Sequence, residues 1–135
     1  MRYTISDSNL PLFFSVKISG GIDPGKIEII LDEILSDSRW KAGTGLLYDY
    51  SEVNMYCFPV SSVDRICKIA EKNMEKLKGS LCGVIVNPLT DKTILSVFET
   101  ISDKKSNHFV RIFTNTENAY SWMKDAETNL CNISG

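Results

Sequence analysis

The stretch that decides the fold runs from Gly21 to Val53 and reads "GIDPGKIEIILDEILSDSRWKAGTGLLYDYSEV". Its first part has apolar residues at spacings of three and four, which predicts an amphipathic helix to about Ser36. Asp23 is the expected N-cap, and Pro24 stands at the first helical position, where its missing N–H costs nothing. The nearly continuous apolar run "GLLYDY" then predicts a buried central strand. The stretch therefore indicates a helix followed by a strand, which is the repeating unit of an α/β sheet.

The segments on either side of this stretch continue the pattern. Before it, Tyr3–Ser6 and Leu12–Ile18 have the composition of two short strands joined by a polar turn. After it, an apolar stripe predicts a second helix from about Val63 to Leu77, with Gly79 as its C-terminal cap. Further strands are predicted at "LCGVIVN" and "HFVRIFTN", each followed by a helix, and Asn115 or Thr116 is expected to cap the last of these helices.

The predicted order of elements defines the fold class. Two leading strands followed by alternating helices and strands imply an α/β protein with a mixed sheet of about five strands. The first two strands form an antiparallel pair, and about four helices pack on the sheet. We expect one domain over residues 1–127, followed by a loosely ordered C-terminal tail over residues 128–135.

The bulk composition of the 135 residues excludes several classes of function. With 43% hydrophobic and 24% charged residues, the chain is an ordinary globular sequence. A net charge of −2 argues against a nucleic-acid-binding surface, which needs an excess of Lys and Arg. We see no secretory signal and no apolar run of about twenty residues that would span a membrane, so we expect a cytoplasmic protein that is not an integral membrane protein. The four cysteines lack the close pairing of a zinc site or a redox motif, so no metal is expected.

One motif resembles a cofactor site but fails on mechanism. Gly20, Gly25 and Lys26 have the spacing of a phosphate-binding loop. Position 27 is Ile27, where a hydroxyl would have to reach magnesium, and Pro24 removes one N–H from the phosphate cradle. We therefore interpret the motif as a glycine turn leading into a capped helix, and we expect no cofactor.

The catalytic residue types are too sparse to assemble a mechanism. His108 is the single histidine of the chain and opens a predicted strand, where it is interpreted as an edge or surface residue. No nucleophile, base and orienting group can be combined from the remaining residues. We therefore predict that the protein is not an enzyme.

The connection after the central strand is the most informative candidate site. Asp49 lies near the predicted carboxyl end of a buried strand, where functional crevices of parallel sheets form; alternatively it is a turn residue that binds backbone N–H groups. Tyr56 and Phe58 either close the core or form a binding surface for a partner protein or an apolar ligand. Arg65 would pair with an anionic group, or is simply solvated.

The layout as a whole resembles the SpoIIAA-like family of small bacterial proteins. The resemblance covers nearly the whole chain, and its most specific parts are "DSRW" at Asp37–Trp40, the strand end "LLYDYSEV" and the final "RIFTNTENAYSWM". This family shares the fold of the STAS domain, the anti-sigma-factor-antagonist module, and is similar to the lipid-binding Sec14 (CRAL-TRIO) domain. The resemblance implies a regulatory or protein-interaction module, with a kinase or an anti-sigma-like factor as partner. Its alternative implication is a small carrier or sensor that binds an apolar or lipid-like ligand.

The resemblance also points to two serines as candidate site residues. In the antagonist proteins, a serine at the start of the second helix is phosphorylated by the partner kinase. The corresponding residues here are Ser61 and Ser62, although the surrounding residues depart from the Asp-Ser-Ser-Gly pattern, since Pro59 and Val60 stand before them. A helix N-terminus favours a phosphate because of its unpaired N–H groups and its dipole. Serine is also a preferred N-cap, so both serines are candidate phosphoacceptors or helix caps.

Overall fold

The computed structural model describes residues 1–10, 12–41, 43–53, 60–77, 79–88 and 109–134. Within these residues five strands form one sheet and lie side by side in chain order. The strands are β1 (Arg2–Ser6), β2 (Phe13–Gly20), β3 (Gly45–Val53), β4 (Leu81–Ile85) and β5 (Phe109–Phe113). The helices are α1 (Pro24–Leu35), α2 (Val60–Lys72), α3 (Met74–Leu77) and α4 (Thr116–Ser134).

The pairing of the strands confirms the predicted mixed sheet. Strand β1 is antiparallel to β2, and the pairs β2–β3, β3–β4 and β4–β5 are all parallel. The described residues contain three helices of three turns or more and the single turn α3, so the estimate of about four helices is slightly high. The helix that the sequence predicts from Asp91 lies outside the described residues.

The two faces of the sheet carry different helices, because successive side chains of a strand point to opposite sides. We call the side of Leu46 and Tyr48 the α1 face, since it packs against α1 and α2. The opposite side, which includes Leu47, packs against α4 through Ala119 and Met123, and we call it the α4 face. The α1 face carries the larger core, whose buried members from strands and helices include Phe14, Val16, Ile18, Ile27, Ile30, Ile34, Leu46, Tyr48 and Ile69.

Local capping chemistry sets the helix starts that the sequence predicts. The Asp23 carboxylate accepts a hydrogen bond from the Gly25 N–H at 2.9 Å, and Pro24 is the first residue of α1. The Asn115 side chain accepts from the Asn118 N–H at 3.0 Å, which identifies Asn115 rather than Thr116 as the cap of α4. Both helices therefore begin where a side-chain oxygen satisfies an otherwise unpaired N–H group.

The second predicted helix is interrupted before it ends. The Asn73 side-chain amide donates to the Ile69 carbonyl at 2.9 Å, and the backbone N–H groups of Lys76 and Leu77 both bond the Asn73 carbonyl. Side-chain bonds of this kind compete with the regular helix pattern, and the chain divides here into α2 and α3. Gly79 follows with a φ of +78°, in agreement with its predicted role as the C-terminal cap.

The last helix is longer than the sequence predicts. Helix α4 continues to Ser134 and includes residues 128–134, which we expected to form a loosely ordered tail. This segment lacks a clear apolar stripe, but extending a helix that has already begun fixes only one residue for each hydrogen bond gained. The sequence pattern could not show this, since periodicity reports packing and not helix propagation.

Candidate functional site

The described candidate residues lie on β3 and on α2, the two elements that the connection 54–59 joins. Strand β3 ends at Val53, and α2 begins at Val60. Asp49 lies on β3 and Arg65 lies on α2, on either side of the connection 54–59 in the chain. Tyr56 and Phe58 belong to that connection and lie outside the described residues.

Asp49 lies inside strand β3 and not at its end. The pairing of β2 with β3 passes from Lys17–Asp49 to Ser19–Glu52, so β3 contains one residue more than its partner over this stretch. This is the arrangement of a β-bulge, in which an N–H group of the longer strand loses its place in the ladder. The Asp49 Oδ1 accepts from the Ser51 N–H at 2.9 Å and from the Ser51 Oγ at 2.6 Å.

The bulge explains why the sequence analysis placed the end of this strand too early. The alternation of side chains changes after Tyr50, so that Val53 is buried with the α1-face core while Glu52 is exposed. If side chains alternated regularly along this strand, the polar "DYSE" segment would indicate that the strand ends there. The half-buried Asp49 carboxylate holds the bulge, which matches the alternative that it binds nearby backbone N–H groups.

The two candidate serines lie within the first turn of α2. Because α2 begins at Val60, Ser61 and Ser62 are its second and third residues. The N-cap position precedes Val60 and lies outside the described residues. Ser61 is exposed and Ser62 is half-buried. Ser61 is therefore an exposed residue in the first turn of a helix of 13 residues.

Arg65 lies one turn further along α2 and is exposed. Its neighbour Asp64 pairs with Lys68 at 3.1 Å, and both side chains are largely exposed. A pair of this kind contributes little to stability. The described part of this surface is therefore polar and accessible, with a hydroxyl, a carboxylate and a guanidinium in the first two turns of the helix.

A second cluster lies at the opposite end of the sheet, and the sequence analysis did not identify it as a site. Arg39 is at its centre: Nε and Nη2 donate to the two carboxylate oxygens of Asp37 at 3.0 and 2.9 Å, and Nη1 donates to Asp7 at 2.6 Å. The guanidinium also lies over the Phe14 ring, 5.8 Å from its centroid. This cluster joins the end of β1 to the loop after α1.

The charges of this cluster stabilise one another. The hydrogen bond from Arg39 is the main reason why the pKa of Asp37 is lowered to about 2, with help from the Arg39 backbone N–H. The same side chain lowers the pKa of Asp7. The motif "DSRW" offered a signal for the local Asp37–Arg39 pair. Nothing in the sequence pointed to Asp7, which is 32 residues away from Arg39.

A shallow cleft of about 270 Å³ lies beside this cluster. Its walls carry three carboxylates and the Arg39 guanidinium, and its floor is apolar. The residues that line it are Ile5, Asp7, Phe14, Glu33, Ile34, Asp37 and Arg39. The cleft is therefore charged at its rim, unlike the apolar cavity that a lipid carrier requires.

Three titratable side chains are held on the α1 face of β3 and β4. Tyr48 and Tyr50 are buried and stacked, with ring centroids 5.8 Å apart. Burial raises the pKa of both phenols, and it raises the pKa of the partly buried Cys82 thiol to about 12. Cys82 is thus held as a neutral thiol, and this is a core position and not that of an activated nucleophile.

The described part of the chain has neither a metal-binding cluster nor a membrane-spanning helix. No group of three or more His, Cys, Asp or Glu residues there has the proximity to hold a metal ion. None of the helices described is long and apolar enough to cross a membrane.

Comparison with known proteins identifies the fold of this chain. No protein-family model matches the chain, and no curated protein matches it. Among solved structures, the chain is similar to an uncharacterized protein of the DUF3478 family from Shewanella loihica PV-4, which has a SpoIIAA-like fold. The two share 14% sequence identity and superpose with a TM-score of 0.61 over 90% of this chain and 92% of the other. The chain therefore has the SpoIIAA-like fold that its sequence resembles.

Proposed function

We propose that this chain is a non-enzymatic regulatory or protein-interaction module of the anti-sigma-factor-antagonist type. The observation that carries the proposal is the filled core beneath an accessible site. Where the structure describes them, the side chains between the sheet and α1 are tightly buried, with Ile18 and Ile30 at 0% exposure. A module that works through its surface needs a rigid interior and an exposed recognition element. Ser61 at the start of α2 supplies that element.

The working surface that we propose is the start of α2 together with the end of β3. Ser61 is exposed there, Arg65 lies one turn away, and Glu52 is exposed on the neighbouring strand. A phosphate on Ser61 would add about two negative charges close to helix N–H groups and within reach of Arg65. Such a change alters the binding surface while the packed core stays unchanged.

The partner that this surface suits is a protein, such as a regulatory kinase or an anti-sigma-like factor. The runner-up, a carrier of an apolar or lipid-like ligand, requires an apolar cavity between the sheet and the helices. The described cleft has a charged rim, and the core under α1 is filled with side chains. These observations favour the interaction module over the carrier.

Site-specific crosslinking tests the proposed surface. A photo-crosslinking residue at Arg65 should capture one defined protein in the source cells, and the glutamate variant Ser61→Glu should change the yield. The same residue at Ser121, which is exposed on α4, is the matched control and should not capture that protein. Identical crosslinking patterns from the two positions would contradict the proposed surface.

Native mass spectrometry tests the carrier alternative separately. A protein-interaction module should give the mass of the chain alone, 15.2 kDa, when it is purified under gentle conditions. An apolar molecule that co-purifies in a fixed ratio would favour the carrier.

Mass spectrometry of protein isolated from its source tests regulation at Ser61. A phosphate on Ser61 would support this regulation, and the absence of phosphate in every growth condition would contradict it.

A further inference from the structure

Strand β1 forms one edge of the sheet, and within the described residues its backbone pairs with β2 alone. Its first three residues, Arg2, Tyr3 and Thr4, are exposed. An edge strand presents a row of unpaired N–H and C=O groups to another chain. Natural edges are usually protected by Lys, Pro or a bulge. The "RYTIS" sequence of β1 has neither Lys nor Pro, and its five pairs with β2 run without a register shift.

Apolar side chains are exposed at the same edge. Tyr3 is 36% exposed and Ile29 of α1 is 52% exposed. The two lie near each other, because the Tyr3 hydroxyl donates to Glu33 at 3.4 Å and Glu33 is one helical turn from Ile29. Among the described residues, three large hydrophobic side chains are exposed, and these are two of them. Exposed apolar groups that cluster beside an open strand edge indicate an interface.

The sequence of β1 is compatible with pairing to itself. Consider two β1 strands that pair in antiparallel fashion about a two-fold axis perpendicular to the sheet. Residues directly opposite each other have side chains on the same face of the sheet, and side chains alternate between faces along each strand. The numbers of two paired residues must therefore add to an even sum. The register with Thr4 on the axis pairs all five residues of the strand. It also places Tyr3 of one copy opposite Ile5 of the other, and aromatic side chains paired with β-branched ones stabilise antiparallel strands.

We propose that two copies of this chain associate through antiparallel pairing of their β1 strands, with Thr4 on the two-fold axis, and so form a continuous sheet of ten strands. Each Tyr3 then packs beside Ile5 of the other copy. Ile5 also lines the cleft at this edge, whose apolar floor and carboxylate rim suit the ring and the hydroxyl of a tyrosine. The residues that an isolated chain leaves exposed at this edge become the centre of the interface.

The size of this interface sets its strength. Five paired residues and two exposed apolar side chains from each copy form a small contact, at the lower end of the range for specific association. We therefore expect a dimer that forms and dissociates with concentration between the micromolar and millimolar ranges.

Charge substitution on the axis provides a register-specific test. Thr4→Lys puts two lysines opposite each other and should give a monomer, and Thr4→Glu should do the same with two carboxylates. An equal mixture of the two variants should restore association, because each Lys then faces a Glu. Ser121→Lys and Ser121→Glu on α4 are matched controls and should dimerise like the unmodified chain.

The measurement is the molar mass by light scattering over a range of concentrations. Unmodified protein should pass from 15.2 kDa to twice that mass. A chain that stays monomeric throughout would overturn the proposal, and so would a dimer that persists in both Thr4 variants. If both variants are monomeric but their mixture does not associate, the Thr4 axis is wrong. Hydrogen exchange of the unmodified protein gives an independent measure: amides of residues 2–6 should become better protected as concentration rises, and no change there would contradict the interface.

Discussion

Arg39 and Asp37 form a two-point ion pair although they are only two residues apart. Nε and Nη2 of Arg39 each donate to one carboxylate oxygen of Asp37, and the Arg39 backbone N–H adds a third bond at 2.8 Å. This geometry turns the chain sharply after α1 and points the remaining Nη1 at Asp7. The pair thus fixes the loop that leads into β3 against the end of β1.

Acid should weaken the fold through these carboxylates. The pKa of Asp37 is about 2 in the folded protein against 3.8 for the free group, and the pKa of Asp7 is also lowered. A lowered pKa means that the folded state binds the proton less readily than the unfolded chain does. The stability that Arg39 confers is therefore complete above pH 3.8 and is lost as the pH falls towards 2.

Urea unfolding over this pH range tests the contribution of Arg39. The variant Arg39→Gln should be less stable than the unmodified protein at neutral pH and should lose less stability between pH 3.8 and 2, so that the two proteins converge in acid. Arg65→Gln is the matched control, since it removes the same charge from an exposed helix position. Parallel curves for Arg39→Gln and the unmodified protein would show that the ion pairs do not contribute.

Two glycines allow α4 to pack closely on the sheet. A Cβ at Gly45 would lie 2.6 Å from Met123 Cε and 3.2 Å from the Leu81 carbonyl oxygen. A Cβ at Gly83 would lie 2.8 Å from Leu47 Cδ1, the end of a flexible side chain. Gly45→Ala should therefore reduce the free energy of unfolding by about 1–3 kcal/mol, and Gly83→Ala should cost less.

The control for these variants is Gly21→Ala. A Cβ at Gly21 meets nothing within 4 Å, and its effect should stay within about 0.5 kcal/mol. Urea unfolding of the three variants gives the comparison. Equal stability of Gly45→Ala and Gly21→Ala would mean that Met123 moves away without cost, and that α4 is not tightly packed against this part of the sheet.

Much of the fold could be predicted from the sequence, because the relevant signals are local. Alternation and apolar runs predicted all five strands, and the side chains of Asp23 and Asn115 predicted two helix starts. The bulge at Ser51 was not predictable in this way, since it depends on the register between β2 and β3. Alternation within one strand contains no information about the length of its partner.

The elements that carry the candidate residues could be predicted from the sequence, but the contacts of these residues could not. The alternation of strands and helices assigned Asp49 to a strand and Arg65 to the helix that follows it, and the structure has both residues on those elements. The cluster of Arg39 with Asp7 could not be predicted, because it joins residues that only tertiary structure brings together. The place of β1 at the edge of the described sheet was not predictable either, since a leading strand can equally well lie between two others.

Substitutions of Asp49 distinguish a structural role of its side chain from a binding role. Its Oδ1 accepts two hydrogen bonds from Ser51, and an asparagine keeps that acceptor while an alanine does not. Asp49→Ala should reduce the free energy of unfolding by about 1–2 kcal/mol, and Asp49→Asn should cost clearly less. Glu52→Ala, at an exposed ion pair with Lys17, is the control and should have little effect. Equal losses for Ala and Asn would indicate that the charge, and not the hydrogen bonds, is what matters.

Alkaline pH should destabilise the protein through the phenols beneath the helices. Burial raises the pKa of Tyr48 and Tyr50 above the ordinary value of 10.0, and it raises the pKa of Cys82 from 9.0 to about 12. The unfolded chain therefore releases these protons at a lower pH than the folded protein does. The contribution of these three groups to the free energy of unfolding should be constant below pH 9 and fall as the pH rises above 9 to 10.

The variants Tyr48→Phe and Tyr50→Phe isolate the phenols, because each keeps the stacked ring and removes only the ionisable hydroxyl. Each should show a shallower loss of stability above pH 10.0 than the unmodified protein, measured by urea unfolding. Phenolate absorbance should also appear in two steps, with the buried tyrosines ionising only as the protein unfolds. Tyr3→Phe, at an exposed ring, is the matched control and should keep the full slope. If the slopes of the three variants are the same, the buried tyrosines are not the cause, and alkaline unfolding must begin elsewhere in the molecule.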